Sequence, residues 1–399
     1  MIVLAGADLV LPDRVLDHGT LVLEGGRIAD VASGTRPIEA PRDGGYRDLR
    51  GHLVLPGFVD VHVHGVLGVD TLDGDDAVGA IARGLTRFGV TAFCPTSMAC
   101  PPDALRRFVS SVRRARETPD PLAARVLPAH LESNFINPDW AGAQPVGCLR
   151  LPPSVRSAAP GGQEFSADEV LLAIDEAGAD LGTVTLAPEL AGGLDLVRRL
   201  VSTGHRVSLG HSGASYDEAM EAVGAGARQV THLFNRMSPM HHREPGLAGA
   251  ALESDDLAVE IVCDGYHVHA AAVRVAIAAK DRARIMAVTD GTAGAGLSRG
   301  SRATLGGRPI TVGETALLED GTMAGSVLTM DRAFAFLTGP AGLSLIDAAQ
   351  LCATTPAREM GLQGHGVLAA GAAADLVVLD GRLRVVETWV GGRLVFAAA

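Results

Sequence analysis

Between Pro56 and Gly364, short apolar runs rich in β-branched residues alternate with segments of helical spacing. This alternation restricts the fold more than any other feature of the chain. The first run is Phe58 to His64. It is followed by Val90 to Thr96, Arg125 to Glu132, Thr183 to Pro188, Arg206 to His211, Gln229 to His232, Ala258 to Cys263 and Ile285 to Asp290. Between most of them, Asp76 to Phe88, Asp103 to Glu117, Ala167 to Ala177, Leu194 to Thr203, Tyr216 to Val223 and Ala270 to Ala279 carry helical periodicity. Alternating units imply a parallel sheet, and eight of them imply a closed (β/α)₈ barrel. An open doubly wound sheet is the alternative, but no glycine-rich phosphate fingerprint follows the first strand. The two ends read differently. Residues 1–55 show short strands around the turn Glu24-Gly25-Gly26, and residues 365–399 show strands at Ala374 to Asp380 and Val385 to Val390 before a Gly391-Gly392 turn. The expected architecture is therefore α/β: a barrel over 56–364, with a small β-sandwich built from 1–55 and 365–399.

Bulk properties narrow the class. At 47% hydrophobic residues, a 399-residue chain buries a large core. The net charge of −12 argues against nucleic-acid or anionic-membrane partners, which select basic surfaces. A local basic pocket for an anionic substrate stays compatible with it. Cys94, Cys100, Cys148, Cys263 and Cys352 are odd in number and lack CxxC pairing, which favours a reducing cytoplasm over a disulfide framework. The opening residues lack a basic n-region and a cleavage site, so no signal peptide is expected. No apolar stretch approaches the ~20 residues of a transmembrane helix.

The chemistry is concentrated at strand ends. Alternation along the first strand places Asp60, His62 and His64 on one side and Val59, Val61 and Val63 on the other. Two imidazoles at the end of such a row can converge on one ion, and neutral imidazole is a common ligand for zinc and iron. The third run ends His130-Leu131-Glu132, the fifth Leu209-Gly210-His211, the sixth Val230-Thr231-His232 and the eighth Val288-Thr289-Asp290. A single strand-end histidine is ordinarily a hydrogen-bonded or surface residue. Five such ends on one barrel point to a metal site, because barrel active sites gather at the C-terminal ends of the strands.

These motifs resemble the amidohydrolase superfamily, metal-dependent barrels with an HxH on strand one, a bridging group, two further histidines and a final aspartate. More narrowly, they resemble its N-acetylglucosamine-6-phosphate deacetylase family. The matching pieces are Pro56-Gly57-Phe58-Val59-Asp60-Val61-His62-Val63-His64-Gly65, His130-Leu131-Glu132, Gly142-Ala143-Gln144-Pro145, Gly210-His211, Thr231-His232-Leu233-Phe234-Asn235, His241-His242-Arg243-Glu244-Pro245-Gly246, Asp264-Gly265-Tyr266-His267, Val288-Thr289-Asp290 and Gly321-Thr322-Met323-Ala324-Gly325-Ser326. The resemblance implies one or two divalent cations per subunit, zinc or iron. His62 and His64 would hold the first with Asp290 beside it, His211 and His232 the second, and Glu132 would bridge. It further implies that Asp290 is the catalytic acid/base. Asn235, Arg236 (through its backbone N–H), Arg243 and His267 would bind a phosphate, and Gln144 and Met323 would complete the substrate site. The implied ligand is a phosphorylated N-acetyl amino sugar, and the implied assembly is a homodimer.

Two departures bear on the sugar. The family commonly has glycine and proline after the strand-three glutamate, where this chain has Ser133-Asn134, and alanine where it has Arg236. Ser133 and Asn134 are expected to add hydrogen-bonding groups near the sugar, and the Arg236 side chain a charge near the phosphate. These departures bear on the sugar and not on the reaction class, and make the epimer N-acetylgalactosamine-6-phosphate the competing substrate; two separate readings stand beside it, another amide substrate (a cyclic amide or an N-acyl amino acid) and a metal-binding barrel without catalysis. Their discriminators are whether Arg243 and His267 line the pocket and whether Asp290 is needed.

Overall fold

The computed structural model describes residues 1–34, 45–153 and 164–398. Eight parallel strands form the central sheet: β1 (Phe58–Val63), β2 (Val90–Ser97), β3 (Ala129–Glu132), β4 (Leu181–Leu186), β5 (Arg206–Leu209), β6 (Gln229–Val230), β7 (Ala258–Val262) and β8 (Ile285–Val288). Each pairs in parallel with the next in sequence. Between β8 and β1 the ring closes just beyond the last strand residues. A parallel bridge joins Val63 and Gly291, Asp290 donates its N–H to the His62 carbonyl at 3.0 Å, and His64 donates to the Gly291 carbonyl at 2.8 Å. The barrel is thus sewn shut by the same residues that carry the chemistry.

All six β1 residues are buried. Val59, Val61 and Val63 face the helical layer and join the main apolar core. The inner face is polar, where closed barrels are commonly filled with branched aliphatics. His130 Nε2 lies 2.7 Å from Thr185 Oγ1, Thr185 Oγ1 lies 2.7 Å from Thr231 Oγ1, and Ser208 Oγ lies 2.6 Å from Thr231 Oγ1. Buried polar atoms persist only when paired, and this chain of contacts joins β3, β4 and β5 to the residue just after β6.

The termini form one eight-stranded sheet. Arg393–Ala397, Val385–Val390 and Leu376–Leu379 lie in order beside Leu53–Pro56, Ile2–Val10, Val15–Glu24 and Arg27–Ala32, and Gly45–Asp48 also pairs with Ile2–Val10. It encloses a separate core that includes Leu4, Leu21, Ile28, Leu376 and Trp389. Buried Asp375 ties this sheet to the barrel. Its carboxylate accepts from Arg125 Nε at 3.0 Å and from the Gly391 N–H at 2.6 Å, and His365 Nδ1 lies 2.8 Å away.

Three features depart from the sequence expectation. The run Arg125 to Glu132 is two strands, Arg125–Val126 and β3, because Pro128 has no N–H for the ladder. Residues Arg302–Leu305, Arg308–Val312 and Ala316–Leu318 form an antiparallel sheet of three short strands. Its core includes Met98, Leu305 and Val327. A helix at Gly246–Glu253 fills the β6–β7 crossover. Its alanine- and glycine-rich sequence carries no amphipathic stripe, since seven of its eight residues are buried on all sides.

Candidate active site

Three strands deliver their acid or imidazole by the same local device. β5, β6 and β8 end at Leu209, Val230 and Val288, and two residues further on His211, His232 and Asp290 adopt φ of +49°, +33° and +48°. Such left-handed backbone costs a non-glycine residue about 1 kcal/mol or more, and it persists where the surroundings over-determine it. Here they do. Leu233 N–H donates to the Glu260 carbonyl at 2.8 Å and Ser326 N–H to the Asp290 carbonyl at 2.8 Å. Gly325 lies against Asp290, and a Cβ there would fall 3.0 Å from the Asp290 carbonyl oxygen.

The six groups meet in a buried cluster. His62 Nε2 and His64 Nε2 are 3.2 Å apart, and His211 Nε2 and His232 Nε2 are 3.1 Å apart. Glu132 stands between the pairs. Its Oε1 is 3.0 Å from His232, 3.2 Å from His211 and 3.6 Å from His62, and its Oε2 is 3.4 Å from His64. Asp290 Oδ1 lies 3.3 Å from His64 Nε2 and 3.5 Å from His62 Nε2. Three of the four opposite ring nitrogens are pinned, while His64 Nδ1 is buried without a partner among the described residues. His62 Nδ1 donates to Glu260 Oε2 at 2.8 Å, His211 Nδ1 to the Trp140 carbonyl at 2.9 Å, and His232 Nδ1 to the Asn235 carbonyl at 3.1 Å. These acceptors keep the proton on Nδ1 and turn the Nε2 lone pairs inward.

Facing lone pairs repel unless a proton or a cation lies between them. The buried carboxylates say the same: Glu132, Asp290 and Glu260 surround the histidines, and among the described residues none of them pairs with a lysine or arginine. Burial opposes charge on His62, but Glu260, Asp290 and Glu132 outweigh it and raise the ring to about 9. His64 is raised to about 10 by Asp290 and Glu132 against the same penalty. Glu132 is held well below the usual carboxylate range despite its burial, chiefly by His211 and His232, and Asp290 is lowered by His62 and His64. The cluster demands positive charge, and its histidine/carboxylate donors fit a borderline divalent cation. Among the described residues three groups satisfy ligand spacing: His62–His64–Glu132, Glu132–His211–His232 and His62–His130–Glu260; only the first two include residues on the cavity side of the cluster.

The cluster opens into a cavity of about 230 Å³. Of the substrate residues expected from sequence, Gln144, Asn235, Arg236, His267 and Met323 line it, beside Met98, Leu305 and Gly325. Gln144 is already committed: its Nε2 donates to Glu132 Oε2 at 2.5 Å and its Oε1 accepts from the Ala99 N–H at 2.9 Å. It therefore orients Glu132. His267 is held through Nδ1 by Asp264 at 2.7 Å. Arg243 is not among the lining residues. It is exposed, on a turn closed by paired backbone bonds between His241 and Glu244 at 3.1 and 3.2 Å. His269 caps the helix Ala270–Ala279 and stands apart from the cluster.

The expectation for Ser133 and Asn134 is corrected. Both are fully buried and absent from the cavity wall. Ser133 Oγ donates to the Thr185 carbonyl at 2.6 Å, and Asn134 Nδ2 donates to the carbonyls of Cys100 and Cys148 at 2.9 and 2.7 Å. They brace the loop after β3 from behind.

Sequence reasoning passed over Glu260 and assigned no role to Asp60. Asp60 accepts from Thr289 Oγ1 at 2.6 Å, and burial raises its carboxyl to about 7 against those bonds. It thereby fixes the residue next to Asp290. The signal for Glu260 was a lone carboxylate within Ala258-Val259-Glu260-Ile261-Val262, a strand buried on both faces.

Residues 53–395 match the family model described as "Amidohydrolase family". The human N-acetylglucosamine-6-phosphate deacetylase is 36% identical, with 96% of this chain and 90% of that protein covered. The N-acetylgalactosamine-6-phosphate deacetylase of Escherichia coli O157:H7 is 33% identical, with 92% and 93% covered. Among solved structures, a mutant N-acetyl-D-glucosamine-6-phosphate deacetylase of Mycobacterium smegmatis, in complex with N-acetyl-D-glucosamine-6-phosphate, superposes with a TM-score of 0.86. It is 31% identical, and 99% of each chain is covered.

Proposed function

Since the chain belongs to the amidohydrolase family, we propose that it hydrolyses the acetamide of N-acetylglucosamine-6-phosphate to glucosamine-6-phosphate and acetate. The observation that carries this reading is the pair of facing Nε2 couples astride Glu132, with Asp290 against one of them.

In this reading His62, His64 and Asp290 would hold one divalent cation and His211 and His232 a second where two bind, with Glu132 available to either; zinc and iron suit this donor set. When bound, the cation supplies Lewis acidity and lowers the pKa of water from 15.7 toward ~7. Asp290 does the proton work. Its carboxyl is held below its ordinary value, so it is ionised at neutral pH and ready to take a proton from the attacking water. Oδ1 faces the two histidines, which leaves Oδ2 for that proton. The same oxygen returns it to the departing amine, so that the amine leaves neutral. Asn235, the Arg236 backbone N–H and His267 bind the phosphate. The enzyme is a cytoplasmic homodimer in which exposed Arg243 turns toward the neighbouring copy. Among the described residues, no helix is long and apolar enough to cross a membrane.

The test is amine release by the metal-loaded protein from N-acetylglucosamine-6-phosphate, N-acetylgalactosamine-6-phosphate and unphosphorylated N-acetylglucosamine. Fast turnover of the first, with little of the others, is expected. Preference for the second would move the assignment to the epimer. No turnover of any, with metal bound, would return it to another amide.

A further inference from the structure

Among the described residues, Arg236 is the only lysine or arginine lining the cavity. Its backbone is fixed and its guanidinium is uncommitted. The residue sits at φ +49°, and its carbonyl accepts from the Ser212 N–H at 3.1 Å just after His211. A bridge joins Ser212 to Met237 beside it. The side chain lies over Gly142. A Cβ at Gly142 would stand 2.7 Å from Arg236 Nε and 3.2 Å from its Cδ, and Gly142 itself adopts φ +61°. The loop leading to Gln144 thus leaves a gap for the arginine stem. Among the described residues, no carboxylate pairs with this guanidinium, although Glu132 and Asp290 line the same cavity. Elsewhere arginines do pair with carboxylates, as in Arg206–Glu359 at 2.6 Å and Arg113–Asp180 at 2.6 Å.

From this we propose that the Arg236 guanidinium itself grips the substrate phosphate, so that the chain carries its phosphate clamp in the same subunit as its cation site. This rests on the phosphorylated-sugar reading above. A planar guanidinium presents two parallel N–H donors to two phosphate oxygens. The backbone N–H of the same residue and His267 then complete a site in which Arg236 supplies the fixed positive charge. Such a group also counters the repulsion that Glu132 and Asp290 exert on an incoming dianion.

The test uses the metal-loaded full chain, with Arg236→Ala and Arg236→Lys. Steady-state kinetics are measured on N-acetylglucosamine-6-phosphate and on unphosphorylated N-acetylglucosamine, with inorganic phosphate as competitive inhibitor. For Arg236→Ala, KM for the phosphorylated sugar rises about tenfold or more, the scale of one charge-assisted contact, while kcat changes far less. The inhibition constant for phosphate rises in step, and Arg236→Lys restores part of both. If the wild-type enzyme prefers the phosphorylated sugar but KM and phosphate inhibition stay within about twofold in Arg236→Ala, the clamp is refuted and the parent reading stands. If the wild-type enzyme shows no such preference, both readings fall.

Discussion

Glu260→Gln isolates the role of a carboxylate that touches no substrate. Glu260 is wholly buried and accepts on both oxygens: from Gln229 Nε2 on Oε1 at 2.6 Å, and from His62 Nδ1 on Oε2 at 2.8 Å. Gln229 cannot adapt, because its own oxygen accepts from Arg206 Nε at 2.6 Å. A glutamine at 260 has one acceptor where two are needed. With its oxygen toward His62, the amide faces Gln229 donor to donor, and the His62 bond drops from charge-assisted to neutral. Such bonds are worth about 1.5–3 and 0.5–1.5 kcal/mol respectively, a difference of about 1–1.5 kcal/mol, or close to tenfold. With the amide reversed, its N–H₂ meets Nδ1, the proton moves to Nε2, and His62 is lost as a ligand. The expected loss of cation affinity is therefore about tenfold to a hundredfold, the range typical of groups that orient metal-bound histidines. The assay is titration of the metal-free protein with Zn²⁺ against a competing chelator, with circular dichroism to verify folding. A folded variant whose affinity lies within about twofold of wild type would refute the argument that Glu260 holds the His62 tautomer.

Three further perturbations separate the remaining roles. Asp290→Asn keeps the shape but removes the proton carrier, so kcat falls by about 10²–10⁴-fold even at cation concentrations that restore wild-type metal content, as verified by elemental analysis. His62 and His64 are raised to about 9 and 10 by neighbouring carboxylates against burial. Stability from a raised histidine is complete below its unfolded value near 6.5 and is lost as pH rises through the folded value. The Tm of chelator-treated protein therefore declines from about pH 7 to pH 10, and loading with metal, which replaces those protons, flattens the decline; parallel curves would count against it. Asn134→Ala strands the buried Cys100 carbonyl and the partly buried Cys148 carbonyl, so stability to urea falls by about 2 kcal/mol, whereas KM for N-acetylglucosamine-6-phosphate stays within twofold, since Asn134 is absent from the cavity wall.

The parts of the fold legible in the chain are those written by local rules. A strand has a period of two, so His62 and His64 announce a shared face. The order of elements dictates parallel neighbours, and the pairings follow it around the ring. The split at Pro128 was also local, a missing N–H, and was readable in principle. The antiparallel sheet at 302–318 was harder. Its strands are three to five residues long and part of the core they pack with, Met98, comes from far away in sequence. The Gly246–Glu253 helix was invisible to periodicity because a helix buried on every side has no polar face to set the phase.

At the site, residue type predicted chemistry better than it predicted reach. Ser133 and Asn134 stand next to Glu132 and read as sugar contacts. One residue past the strand, however, the chain has turned outward, and both side chains spend their donors on backbone carbonyls. Gln144 matches a substrate motif, yet its amide is spent on Glu132. Arg236 is the converse case. It stands beside Asn235 in a loop where a side chain's direction depends on a left-handed φ that no pattern encodes, and the gap over Gly142 that receives it lies about ninety residues back in sequence. A strand-end rule finds ligands because barrel closure forces every strand to end on one rim. No comparable rule governs the groups on the loops above that rim. Their assignment turns on whether a donor is already satisfied, and that is a property of the folded neighbours.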